Sequence, residues 1–158
     1  MKPEIVIRSV TDGSQRERIA DRVLHALPDW FGLPESTARY VAECRTLPFW
    51  AGFEGERAVG FLALKQTGPK TAEICVMGIL PEYHRRGLGC RLWQTAKAWA
   101  RDEGYRYAQV KTVAEGRYPE YDRTNAFYRA VGFEELECFP TLWDEWNPCQ
   151  IYVQYIGE

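Results

Sequence analysis

Tyr83-His84-Arg85-Arg86-Gly87-Leu88-Gly89 places two guanidinium groups beside two glycines, at the junction of an apolar run and an amphipathic stretch. The run Ala72–Leu80 reads as a buried strand ended by Pro81, and Leu88, Leu92, Ala96, Trp99 and Ala100 recur at helical spacing. A strand, a basic turn containing glycine and then a helix suit an anion. The first turn of a helix leaves backbone N–H groups unpaired at the positive end of its dipole, and glycines let a phosphate approach the main chain. Arg85 and Arg86 add full charges and forked donors that match phosphate oxygens. The chemistry favoured is the holding of a pyrophosphate. On these residues alone, a solvated basic turn competes with that reading. The stretch is not a P-loop, because GxxxxGK[ST] is absent, and Cys90-Arg91-Leu92 stand where the third glycine of GxGxxG is due.

A second cluster follows at Tyr121-Asp122-Arg123-Thr124-Asn125-Ala126-Phe127-Tyr128-Arg129-Ala130-Val131-Gly132-Phe133. It predicts a short helix from about Asp122 to Val131, closed by Gly132 where a left-handed conformation is cheap for glycine. The two clusters together resemble the GNAT superfamily of acetyl-CoA-dependent N-acetyltransferases. His84-Arg85-Arg86-Gly87-Leu88-Gly89 matches the family's Gln/Arg-x-x-Gly-x-Gly/Ala loop except at its first position, and Phe127-Tyr128 through Gly132-Phe133 matches its later motif. The resemblance covers roughly Phe49 to the C-terminus. It implies acetyl-CoA as co-substrate, no metal, and an α/β fold with a mixed central sheet of about six to seven strands and helices on both faces. Two strands, one ending at Leu80 and one around Val110, would splay at the cofactor site. The main chain of Met77 and Ile79 would pair with the pantetheine arm, and His84, Arg85, Arg86, Gly87, Leu88 and Gly89 would line the phosphates. A neutral His84 can donate one hydrogen bond, and a charged one would strengthen anion binding. Tyr121 stands where many relatives carry a cofactor-contacting Asn, so that contact is not carried over; Thr124 replaces a residue that is often Ala.

Acetyl transfer from a thioester to an amine needs a neutral amine, a stabilised oxyanion and a protonated leaving thiolate. An alkyl amine of pKa about 10 is only about one-thousandth neutral at pH 7, so a carboxylate that takes its proton has work to do. The resemblance makes Tyr128 the acid for the thiolate; a half-buried packing role stays open. Phe127 reads as core. Glu73, early on the apolar strand where a carboxylate needs a partner or a cleft, is the candidate base. Glu115, Glu120 and Asp122 are its rivals, and an exposed strand-end glutamate is the bland alternative. Trp30, Phe31, Trp50, Trp143 and Trp146, with acidic neighbours, could line a pocket for a cationic amine or simply pack. Trp93 and Trp99 read as packing residues.

A chain of 158 residues without a Pro-, Gly- or Ser-rich linker suits one domain spanning 1–158. Lys+Arg 20 against Asp+Glu 22, with no basic stripe, argues against nucleic acid as partner. Apolar runs are only strand-length, which argues against a membrane span, and Met1-Lys2-Pro3-Glu4 is too quickly polar for a signal peptide. Five cysteines without CxxC spacing fit reduced thiols in a cytoplasmic protein better than disulfides or zinc. Strands are expected at Ile5–Ile7, Phe49–Glu54, Ala58–Lys65, Tyr107–Thr112, Glu134–Phe139 and Cys149–Ile156, in addition to the buried one. Helices are expected after Ser14, over Glu35–Cys44, and after Gly89 up to Gly104. The expected activity is acetyl transfer to a small-molecule amine. Protein N-terminal or lysine acetylation, and a non-catalytic acyl-CoA-binding protein, are the alternatives. Oligomeric state stays open, a homodimer included.

Overall fold

The computed structural model describes residues 4–157; Met1–Pro3, part of the stretch read as too polar for a leader, lie outside the described residues. Among the described residues seven strands form one mixed sheet: β1 (Ile5–Ser9), β2 (Phe49–Glu54), β3 (Arg57–Gly68), β4 (Thr71–Ile79), β5 (Tyr107–Val113), β6 (Glu134–Phe139) and β7 (Cys149–Tyr155). Their order is β1-β2-β3-β4-β5-β7-β6. Four α-helices accompany them: α1 (Gly13–His25), α2 (Pro34–Cys44), α3 (Leu88–Asp102) and α4 (Pro119–Ala130). The chain forms two compact units, one of residues up to Lys65 with Cys75–Trp99, the other of Gln66–Ile74 with Ala100 onward.

In the first unit, Asp12 caps α1 by accepting the Gln15 N–H at 2.8 Å, and Pro34 opens α2, where a missing N–H costs nothing. Gly55, with φ +63°, makes the β2–β3 turn. Two glycines show how closely the helices lie on the sheet. A Cβ on Gly78 would meet Leu27 and Val23, and one on Gly60 would meet Leu88 and Ile79. Adjacent residues of a strand point to opposite faces. Gly78 and Ile79 therefore place the α1 end on one face and the start of α3 on the other. Trp50 is only 4% exposed and lies edge-on to Trp99 at 5.3 Å, so it is a core residue and not an acceptor-pocket aromatic. Trp93 is core as expected.

In the second unit, β4 and β5 pair in parallel from Thr71↔Tyr107 to Glu73↔Gln109, and β5 pairs antiparallel with β7 along its whole length. Strand β3 runs past the expected end at Lys65 to Gly68, so that only Pro69 and Lys70 turn the chain into β4. Helix α4 starts at Pro119, ahead of the expected Asp122, with proline at a first-turn position and Glu120 and Asp122 near the positive dipole end. Phe127, read as core, is half-buried, whereas Tyr128 and Phe133 are buried.

Candidate active site

The basic loop has a conformation that its sequence only partly explains. Gly87 has φ +76°, and Arg85, a non-glycine residue, has φ +62°. Left-handed residues set among ordinary ones turn successive N–H groups toward a common centre, a shape that receives anions. Gly87 C=O accepts the Arg91 N–H at 3.1 Å and so begins α3. The N–H groups of Leu88, Gly89 and Cys90 therefore have no acceptor within the helix. A Cβ on Gly87 would meet nothing within 4 Å, so the space above the loop is open. Tyr83 anchors the loop from below: it is buried, and its hydroxyl donates to Glu54 at 2.9 Å. That bond to a carboxylate raises its pKa. The Arg86 guanidinium lies 4.9 Å over the Tyr83 ring. Arg85 and Arg86 are both exposed.

His84 behaves differently from the expectation of a donor to the anion. Its Nε2 lies 2.6 Å from the Ile79 carbonyl, and because a carbonyl only accepts, Nε2 is the protonated nitrogen. A neutral ring has thus spent its single donor on β4. Trp30 braces the ring edge-on at 6.0 Å. Along β4, the Leu80 N–H bonds to Val59 of β3. Main-chain groups alternate sides along a strand, so those of Ile79 and Met77 point away from β3, as the pantetheine expectation requires. Of the two, Ile79 has its carbonyl engaged by His84.

In the second unit, Glu73 is 4% exposed, and its buried carboxylate is partnered. Gln109 Nε2 donates to Oε1 at 2.6 Å, and Lys111 Nζ lies 3.4 Å from the same oxygen. Both partners come from β5, and the register Glu73↔Gln109 brings them there. Two rival carboxylates have structural work of their own. Glu115 pairs with Arg129, and Asp122 Oδ1 accepts the Gly116 N–H at 2.9 Å.

Tyr128 is 6% exposed, its ring 5.8 Å from Phe133 and 6.0 Å from Tyr152. Beneath it lies a network the motifs did not single out. Asn125, 1% exposed, donates to Val113 O at 2.9 Å and Tyr121 O at 2.7 Å and accepts the Tyr152 hydroxyl at 2.6 Å. Arg129 donates to the same hydroxyl oxygen at 3.1 Å. Tyr121, Asn125 and Tyr128 follow each other at helical intervals of four and three, a signal available in the sequence. Buried donors and acceptors left unpaired are costly. Asn125→Ala is therefore expected to destabilise the protein by about 2–3 kcal/mol in urea unfolding, and a loss below about 0.5 kcal/mol would deny the network its anchoring role.

Burial disfavours Cys44, Cys75 and Cys149 as thiol nucleophiles. Burial pushes the Cys44 thiol up to about 12 and the Cys149 thiol up to about 11, and burial together with the Glu43 carboxylate raises Cys75 further. Among the described residues no three His, Cys, Asp or Glu side chains gather as a metal site, and no helix is long and apolar enough to cross a membrane.

The fold is similar to that of a GNAT-family protein from Desulfovibrio desulfuricans (17% identity, 97% of this chain and 99% of that one, TM-score 0.82). It is also similar to the ribosomal-protein-S18-alanine N-acetyltransferase of Escherichia coli (16% identity, 98% and 96%, TM-score 0.75). A third similar structure is an aminoglycoside 6'-N-acetyltransferase solved with coenzyme A (15% identity, 96% and 97%, TM-score 0.77). Comparison with curated sequences gives no match. The model of the acetyltransferase (GNAT) family matches residues 17–133, a span that includes the basic loop, the outward edge of β4 and Tyr128. By the breadth of that match, the chain belongs to the GNAT acetyltransferase family.

Proposed function

We propose that this chain moves an acetyl group from acetyl-CoA directly to a primary amine of a small molecule, its 158 residues acting as one catalytic domain without a metal. The observation that carries the reading is the left-handed pair Arg85 and Gly87 at the opening of α3, in a chain of an acetyltransferase family. In this reading, the N–H groups of Leu88 and Gly89, with Arg85, Arg86 and Gly87, hold the coenzyme's diphosphate. The outward main chain of Met77 and Ile79 pairs with the pantetheine arm, and His84 steadies Ile79. The amine nitrogen bonds to the thioester carbon and the carbon–sulfur bond breaks. Glu73, oriented by Gln109 and Lys111, takes the amine proton, and Tyr128 gives a proton to the departing sulfur.

The acceptor is the finer part of the proposal. Trp143 and Trp146 are 45% and 68% exposed, beside Asp144 and Glu145. Ring faces and carboxylates at a surface suit a cationic amine. The similar structures include enzymes named for a small molecule and for a ribosomal protein, so both acceptor classes enter the test. The free cysteines fit a reducing compartment, and the cytoplasm is the proposed location.

Thiol release from acetyl-CoA, measured across small amines, polyamines, amino acids and peptides, tests the activity. Turnover with one small amine supports the reading. Turnover with peptides alone makes the chain a protein acetyltransferase, and binding without turnover makes it an acyl-CoA-binding protein. Glu73→Gln should lower kcat/KM by about tenfold to hundredfold at neutral pH, with the deficit shrinking as the amine loses its own proton at higher pH. A pH profile parallel to that of the parent would remove Glu73 as the base.

A further inference from the structure

The sheet has two edge strands, β1 and β6, and their sequences treat an incoming strand in opposite ways. Strand β6 carries Glu134, Glu135 and Glu137 and a register shift between Glu135 and Glu137, both of which discourage edge pairing. Any pairing of β6 with itself would gather like charges. Among the described residues, strand β1 is guarded more lightly: Arg91 bonds to the Ile5 carbonyl, which keeps a second lone pair for a partner, and the flanking charges Glu4 and Arg8 are of opposite sign. Glu4-Ile5-Val6-Ile7-Arg8 is charge-complementary to itself when read in the reverse direction about Val6.

The main chain of β1 is oriented to use that symmetry. Val10 N–H bonds to Phe49 O of β2, so by alternation the N–H and C=O groups of Ile5 and Ile7 face away from β2. The bond from Arg91 Nη2 to Ile5 O, at 2.8 Å, agrees with that direction. An open cleft of about 670 Å³ runs beside this edge, between Glu4–Ile7 and the α3 residues Arg91 and Gln94. Glu4, Val6 and Arg8 are exposed, and alternate positions place them on one face. Arg8 lies over the Phe53 ring at 5.2 Å, which holds its guanidinium on that face.

We propose that β1 is a homodimer interface, pairing antiparallel with β1 of a second copy across a two-fold axis at Val6. Ile5 exchanges main-chain hydrogen bonds with the partner's Ile7, and Ile7 with the partner's Ile5. Glu4 stands opposite the partner's Arg8, and Arg8 opposite the partner's Glu4, so the pair of ion contacts selects this register. The two sheets become one continuous sheet, and both exposed β1 edges disappear.

Sedimentation equilibrium of the parent, Arg8→Glu, Glu4→Arg and the double variant Glu4→Arg/Arg8→Glu tests it. The parent is expected to sediment with the mass of two chains. Each single variant replaces two attractive cross-strand pairs by two repulsive ones and should raise the dimer dissociation constant about thirtyfold. The double variant restores opposite charges only across the interface, without restoring Arg8 over Phe53, and should return the constant to within about threefold of the parent. Glu4→Arg changes an exposed residue ahead of the strand, so it stays informative if Arg8→Glu folds poorly. A parent that sediments as one chain throughout, a dimer indifferent to both single variants, or a double variant no tighter than the singles would each overturn the interface.

Discussion

Tyr128→Phe is expected to lower kcat about a hundredfold while leaving acetyl-CoA affinity within about twofold of the parent. The change removes one oxygen and keeps the ring, whose packing against Phe133 and Tyr152 does not depend on the hydroxyl. The fold should therefore survive and the loss should report on chemistry. A coenzyme thiol has a pKa in the range of 8–9 typical of thiols, so its thiolate leaves without full protonation. For that reason the expected loss lies at the low end of what a general acid contributes. Thiol-release kinetics give kcat, and calorimetry gives the affinity. Full activity in the variant would confine Tyr128 to packing. A matched loss of affinity and rate would make it a residue that positions the sulfur.

The second large effect is on binding. Under the proposed function Arg86→Glu should weaken acetyl-CoA binding about a hundredfold, since it would remove a charge-assisted contact and set a carboxylate beside the diphosphate. Arg86 is exposed and its contact in the structure is with the Tyr83 ring, so little stability goes with it. Calorimetry at two salt concentrations separates a direct contact from a distant field, because exposed long-range charge effects fade with screening. Unchanged affinity would place the diphosphate elsewhere. Taken with Tyr128→Phe, the pair tests the proposed division between holding the coenzyme and moving its acetyl group.

Local signals made much of the fold legible. Asp12 ahead of Gln15, Pro34 ahead of the Glu35 helix and Gly55 between two apolar runs each mark a boundary through a single residue's backbone preference. Pro119 carried the same kind of signal for α4, yet the expected start at about Asp122 lies beyond it. Phe127 and Trp50 show the limit for packing, because an aromatic side chain announces burial without saying where it is spent. One proved half-buried and the other fully packed against Trp99.

The site divided along the same line. The glycines and arginines of the loop are neighbours in sequence, so their conjunction at a helix start was visible there, while the left-handed backbone of Arg85 was not. The partners of Glu73 are not. Lys111 and Gln109 reach it only through a parallel register, and no local pattern encodes which residues two distant strands set side by side. His84 is a similar case, since its turn toward Ile79 depends on the short 3₁₀ segment Pro81–Tyr83 that brings the chain back over the end of β4.

Arg85 ties the robustness of the molecule to its charge. An L-residue at φ +62° costs about 1 kcal/mol relative to a relaxed backbone, and glycine would remove that penalty. Glycine would also surrender a cation at the mouth of α3. If the loop captures a negatively charged molecule as proposed, the position sets thermal endurance against that capture, and a sequence drifting toward one gives up part of the other.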